Sequence, residues 1–112
     1  MSDVRLWTLE AAFDDWISDL EMQGDYQSEG GLQRPEAYAA MVRQAIDWTR
    51  RGVLVPGQML EAGFVPWPES PAENAQRFAS LAALQTEIEL PGDICWFDTG
   101  PAAEEEFKKL ST

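Results

Sequence analysis

Apolar residues recur at Leu9, Ala12, Phe13, Trp16, Ile17 and Leu20. This i, i+3, i+4, i+7, i+8, i+11 spacing predicts one amphipathic helix over Leu9–Met22 with a single buried stripe. Thr8 is one candidate cap for it; Ser2 or Asp3 is the other, if the helix starts earlier. Gly24 stands where a helix-ending glycine is expected, and the polar 25–33 segment, with Gly30-Gly31, reads as a loop. Pro35 opens a second helix whose face is Tyr38, Met41, Val42, Ala45, Ile46 and Thr49, with Trp48 beside them and Gly52 as its stop. Ser70-Pro71-Ala72-Glu73 is a capping-box start for a third helix running to about Glu87. Ala102–Leu110 reads as a short fourth helix, docked by Phe107 and Leu110 and supported by Glu104/Lys108 and Glu105/Lys109 at i, i+4 spacing.

Between the second and third helices the pattern breaks down. Residues 52–70 carry Pro56-Gly57, Gly63, Pro66 and Pro68, so this centre is expected to be irregular, with a turn at Pro56-Gly57. Val53–Val55 and Asp93–Phe97 are the two short extended candidates and could pair with each other. The predicted fold is therefore mainly α: a three- to four-helix bundle with an irregular central segment and at most a short two-strand pair. The length of 112 residues fits one domain spanning residues 1–112.

Charge changes the picture more than composition does. Eight basic and 20 acidic residues give a net charge of −12, which repels nucleic acid and anionic membranes and attracts cationic partners. The acids concentrate at the start, with eight acids and one base in residues 1–29. In the predicted first helix, Glu10/Asp14 and Asp15/Asp19 are unneutralised i, i+4 pairs. The second helix carries Arg34, Arg43, Arg50 and Arg51 against Glu36 and Asp47, so Arg43, Arg50 and Arg51 are expected to answer part of the first helix's charge across an antiparallel hairpin.

Little in the chain suggests catalysis. Histidine is absent, which removes the commonest general base and metal ligand and any Ser-His or Cys-His nucleophile within this chain. There is no phosphate-binding glycine loop, no Cys pair and no calcium-loop spacing. The single cysteine, Cys95, lies between Ile94 and Trp96, as a core residue would. No catalytic residue, cofactor or metal is expected. No stretch reaches the roughly 18 apolar residues of a membrane span, and no leader pattern stands at the N-terminus, so the expected location is the cytoplasm of a bacterium or its phage.

Protein binding is the remaining class. The acids Asp14, Asp15, Asp19, Glu21, Asp25 and Glu29 form the expected rim of a binding face; on the proline-stiffened loop, Phe64, Val65 and Trp67 either plug the end of the bundle or, as the binding reading requires, present Phe64 or Trp67 as an apolar anchor. In size, acidity and the punctuation Gly52…Pro56-Gly57…Gly63-Phe64…Trp67 and Gly92-Asp93-Ile94-Cys95-Trp96-Phe97, the chain resembles the small acidic immunity proteins of bacterial polymorphic toxin systems. The resemblance implies an antitoxin that binds a cognate toxin with a cationic surface and blocks its active site or substrate entrance. The alternative is a phage-encoded inhibitor or DNA mimic occupying a host protein's nucleic-acid site, its acidic surface lengthened by Glu104-Glu105-Glu106. A regulatory domain without inhibitory action is a third class. Oligomeric state is left open.

Overall fold

A computed structural model describes residues 3–112. The order of elements is α1 (Val4–Asp14), β1 (Ile17–Ser18), α2 (Asp19–Ser28), α3 (Arg34–Arg50), β2 (Leu54–Leu60), β3 (Gly63–Pro66), α4 (Pro71–Ala82), β4 (Trp96–Thr99) and α5 (Ala103–Leu110). The strands form one antiparallel sheet in the order β1-β4-β2-β3. This is a mixed α/β fold and corrects the expectation of a mainly α bundle.

The largest correction falls on Leu9–Met22, which is not one helix. Asp3 caps α1, its carboxylate accepting from Arg5 N at 2.9 Å, while Ser2 lies outside the described residues. α1 stops at Asp14 because Asp15 turns extended, at φ −163° and ψ 170°. Ile17-Ser18 then pairs with Phe97 and Trp96 of β4. Ser18 restarts the chain as a helix cap, its hydroxyl accepting from Glu21 N at 3.1 Å. Gly24 sits inside α2 and does not end it.

The supposedly irregular centre is a β-hairpin. Leu60 pairs with Gly63 across a two-residue turn at Glu61-Ala62, and the ladder runs back to Gly57 opposite Pro66. Pro56-Gly57 is therefore strand, not turn. Proline is tolerated there because Pro56 lies one residue beyond the β2–β3 pairing, where its carbonyl accepts from Trp67 N at 2.9 Å and no ladder donor is required of it. The two regions expected to pair do so in another register and with other bounds: Leu54 and Val55 face Thr99 and Asp98, and of Asp93–Phe97 only Phe97 and Trp96 join the ladder, opposite Pro56 and Gly57.

α3 and α4 start where expected. Pro35 stands in the first turn of α3, and Ser70 and Glu73 form the reciprocal capping box of α4. α4 ends at Ala82 rather than Glu87, with Tyr38 Oη donating to the Ala82 carbonyl at 2.6 Å. The long connection 83–95 is held instead by two side chains of α2. Asp19 Oδ1 accepts from Leu20 N and Gly92 N (2.8 and 2.7 Å), and Oδ2 from Ile94 N and Cys95 N (2.6 and 3.3 Å). One turn on, Gln23 accepts from Ile88 N at 2.8 Å and donates to Ile88 O at 3.2 Å.

Ladder parity puts Leu54, Pro56, Phe97 and Ile17 on one sheet face, all buried. Phe78 of α4 packs on Phe97 with ring centroids 5.8 Å apart. Leu9, Met22, Met41, Trp48 and Ile88 complete the same connected core. At its edge the Trp48 indole N–H donates to Glu106 Oε2 at 2.8 Å, and Arg51 bridges both Glu106 oxygens (3.0 and 2.8 Å) while also holding Asp47. Arg51 therefore answers α5 and its own helix rather than the acids at the start of the chain.

Two outcomes test this architecture. Asp19→Asn removes charge and places an N–H group against backbone donors; it should cost about 2–4 kcal/mol and speed amide exchange at Gly92, Ile94 and Cys95. Unchanged exchange there would mean that another contact holds the connection. Arg51 and the Trp48 N–H hold the Glu106 carboxyl at about 2, below its ordinary 4.5. Its stabilisation, roughly 2–3 kcal/mol, is present above about pH 4.5 and lost as pH falls through about 2. Urea denaturation should therefore show Glu106→Gln less stable than the parent at pH 7, with the two converging near pH 2.

Candidate protein-interaction surface

The break after Asp14 decides which side chains reach the surface. Leu9, Ala12 and Ile17 enter the core as the spacing requires. Phe13 and Trp16, placed in the same stripe by the helix expectation, are 43% and 39% exposed. Phe13 covers α5, edge-on to Phe107 with ring centroids 5.7 Å apart. Trp16 precedes Ile17 in an extended segment, so it takes the side opposite the core. There its ring stacks on Phe64 of β3, with centroids 6.0 Å apart and planes 18° from parallel.

That outer sheet face carries Val55, Met59, Phe64 and Trp96, all partly exposed, around a buried Gly57. A Cβ at position 57 would strike the Phe64 ring and the Val65 carbonyl, so only glycine lets Phe64 lie flat across the strand. The result is an aromatic platform on the solvent side of the sheet. Trp7, 51% exposed, adds a second aromatic on α1, beside Glu10 and Asp14 in a shallow depression of about 250 Å³.

The expected rim acids divide sharply. Asp14 and Asp15 are exposed at the corner next to Trp16, and Asp15 Oδ1 accepts from Trp16 N at 2.8 Å. Asp19 is 0% exposed and belongs to the framework, so it offers a partner nothing. Burial pushes its carboxyl above the ordinary value, against the downward pull of its four backbone donors. Glu21 is exposed in the first turn of α2, where partial desolvation and then repulsion from Asp25 and Asp15 raise its pKa. Asp25 accepts from Thr8 Oγ1 at 2.7 Å; burial raises it despite that bond, and Glu29, the cap residue of α2, adds repulsion. Asp15, Glu21, Asp25 and Glu29 thus form one electrostatically coupled strip. Among the described residues, no ion pair joins the arginines of α3 to Asp14, Asp15, Glu21 or Asp25.

The two anchor candidates also part company. Phe64 is partly exposed in the platform. Trp67 is 5% exposed beneath the Arg77 guanidinium, which lies 4.0 Å from its ring centroid and bonds Glu69 at 3.2 Å. Trp67 is therefore not a presented group. Trp16 is the residue that periodicity concealed, and the signal for it was Ser18 followed three residues later by Glu21, a helix start lying inside the assumed helix.

No group of three or more Cys, Asp or Glu side chains among the described residues is arranged to hold a metal ion, and no helix there is long and apolar enough to cross a membrane. Burial raises the Cys95 thiol well above its ordinary value, which suppresses the nucleophilic thiolate. What this surface can do is recognise: a flat aromatic pair for cation–π and apolar contact, beside carboxylates for charge-assisted hydrogen bonds.

A self-repelling strip predicts a particular salt response. Screening should stabilise this protein, so the melting temperature should rise by a few degrees between about 20 and 500 mM NaCl, where the Debye length shrinks several-fold. Glu21→Gln should reduce that rise, and a falling melting temperature would contradict mutual repulsion among Asp15, Glu21 and Asp25. No protein-family model, curated protein or solved structure matches the chain.

Proposed function

We propose that this chain is a non-catalytic binding domain of the immunity-protein kind, which neutralises a cognate toxin in the cytoplasm by covering its active site or substrate entrance. The observation that carries this reading is the stacked Trp16–Phe64 pair on the open sheet face, directly beside Asp14 and Asp15. Exposed aromatic anchors next to like-signed charge suit a partner surface rich in Arg and Lys. The charge of −12 speeds the encounter, and the aromatic pair slows release. A toxin that acts on nucleic acid or nucleotides would present such a cationic groove.

A DNA-mimic role receives less support. It needs carboxylates spread along an extended surface, and two expected contributors are withdrawn from it: Asp19 is buried under 92–95, and Glu106 is bound by Arg51 and Trp48.

Co-purification from the native host with mass identification supplies the partner. Against that partner, Trp16→Ala should weaken binding at least tenfold, mainly through faster dissociation, since truncating an aromatic hot spot costs about 2 kcal/mol or more. Asp14→Lys with Asp15→Lys should slow association and flatten its salt dependence. Circular dichroism and the melting temperature confirm that both variants fold. Unchanged kinetics in both would remove this surface from the proposal.

A further inference from the structure

The β2–β4 ladder stops before β2 does. Its register sets Gly57 opposite Trp96 and, if continued, would set Ile94 opposite Met59. Ile94 is held elsewhere: its N–H donates to Asp19 Oδ2 at 2.6 Å, and the Cys95 N–H donates to the same oxygen. A gap is left between the end of β2 and the 91–95 segment. It is a groove of about 250 Å³, walled by Gln58, Met59 and Leu60 on one side and by Pro91, Gly92 and Trp96 on the other.

Ladder parity fixes which backbone groups face that gap. The Pro56 carbonyl accepts from Trp67 N at 2.9 Å, so residues 56, 58 and 60 turn their backbone polar groups toward β3. The Val53 carbonyl accepts from Gly100 N at 2.8 Å, so residues 55, 57 and 59 turn theirs toward β4. Val55 and Gly57 meet Asp98 and Trp96 there. Met59 finds no hydrogen-bond partner on that side among the described residues, and its N–H and C=O open on the groove. Trp96 adds a donor. Its indole nitrogen lies against Gly92, where any Cβ would strike it. No acceptor among the described residues takes that N–H. The buried unmet side-chain atoms are on Thr49, Trp67 and Asn74, so the Trp96 N–H is open to solvent.

We propose that this groove binds one extended, basic segment of a protein partner, in the ladder place that Ile94 leaves open. One residue of the segment lies opposite Met59, its N–H donating to the Met59 carbonyl and its C=O accepting from the Met59 N–H. A further carbonyl of the segment accepts from the Trp96 indole. Leu60, 53% exposed, and Pro91 give apolar contact on either side. The groove is smaller than the roughly 300–1,000 Å³ of small-molecule sites, which suits a residue or two of a longer chain. Glu61 and Asp93 directly follow Leu60 and Gly92; both are exposed and outside any ion pair among the described residues. They select Arg or Lys on the segment. Taking the occupant from a protein partner rests on the binding-domain reading; the geometry of the groove does not.

Two measurements test this. In the free protein, amide hydrogen exchange at Met59 should be at least about tenfold faster than at Gln58, whose N–H is bonded within the hairpin. Equal protection would mean that Met59 has an internal partner, and the proposal is overturned. In ¹⁵N-labelled protein, the capped peptide Arg-Val-Arg should shift the Met59 amide and the Trp96 indole resonance, the latter assigned by its loss in Trp96→Phe, with a dissociation constant of about millimolar order. The same peptide N-methylated throughout has no donor for the Met59 carbonyl and should bind about tenfold more weakly. Capped Glu-Val-Glu should shift neither resonance at about 10 mM. No shift with about 10 mM Arg-Val-Arg, or equal binding of either control, overturns the proposal. Trp16→Ala should leave the peptide's affinity within about twofold. If it abolishes the shifts, the peptide sits on the Trp16–Phe64 platform, and the groove assignment falls while the platform reading stands. The kinetics of Trp16→Ala with the native partner are a separate readout, so either reading can fail alone.

Discussion

The fold depends on a carboxylate and a carboxamide one helical turn apart on α2. Asp19 gathers the amides of Gly92, Ile94 and Cys95, and Gln23 clasps both backbone groups of Ile88. The segment 83–95 contains no helix or strand, so without these two side chains several buried backbone groups would be unpaired. Holding this segment brings Trp96–Thr99 to the sheet, where β4 lies between β1 and β2. A helix N-terminus is a favourable place for that negative charge, because Asp19 also accepts from Leu20 N and complements the helix dipole. Removing it would loosen the central strand of the sheet rather than a surface loop.

This constraint explains why the first third of the chain was hard to read. Leu9–Leu20 satisfies helical spacing, but Asp19 can reach 92–95 only if the chain turns extended at Asp15 and begins a new helix at Ser18. Tertiary hydrogen bonding overrode periodicity. The local sign of the restart, Ser18 and Glu21 at capping-box spacing, was present but was hidden by the continuous apolar stripe. The starts of α3 and α4 were legible because Pro35 and Ser70–Glu73 act locally and need no distant partner. The β2–β3 hairpin was obscured by prolines that normally exclude strands. Pro56 lies just past the β2–β3 ladder and Pro66 on the edge strand, the positions where a missing N–H does least harm.

The proposed binding surface was legible as a kind of chemistry and not as a place. Of the acids clustered in residues 1–29, Asp15, Glu21, Asp25 and Glu29 share one strip in the structure. The aromatic residues were the harder part to place. Trp67, on a proline-flanked loop, could be read from sequence as buried plug or presented anchor and is buried; Trp16, in a helical stripe, looked buried and is on the surface. Both placements follow from strand geometry, where consecutive side chains take opposite faces and a single residue of register changes inside to outside.

The acids of this chain sit in two unlike environments, and burial separates them. Asp19 and Glu106 are withdrawn from water and have several donors each, which is what makes buried carboxylates tolerable in a small domain. Among the outer acids, Asp15 and Asp25 repel Glu21, a cost that stability alone would remove with a few lysines. That cost is carried at the corner where α1 ends, beside an aromatic pair that glycine at 57 allows to lie open on the sheet. The net charge is therefore a poor guide to the surface by itself. What matters is where its exposed members lie: Asp14 and Asp15 occupy ground next to the exposed ring of Trp16, so charge and aromatic surface meet at the corner where α1 ends.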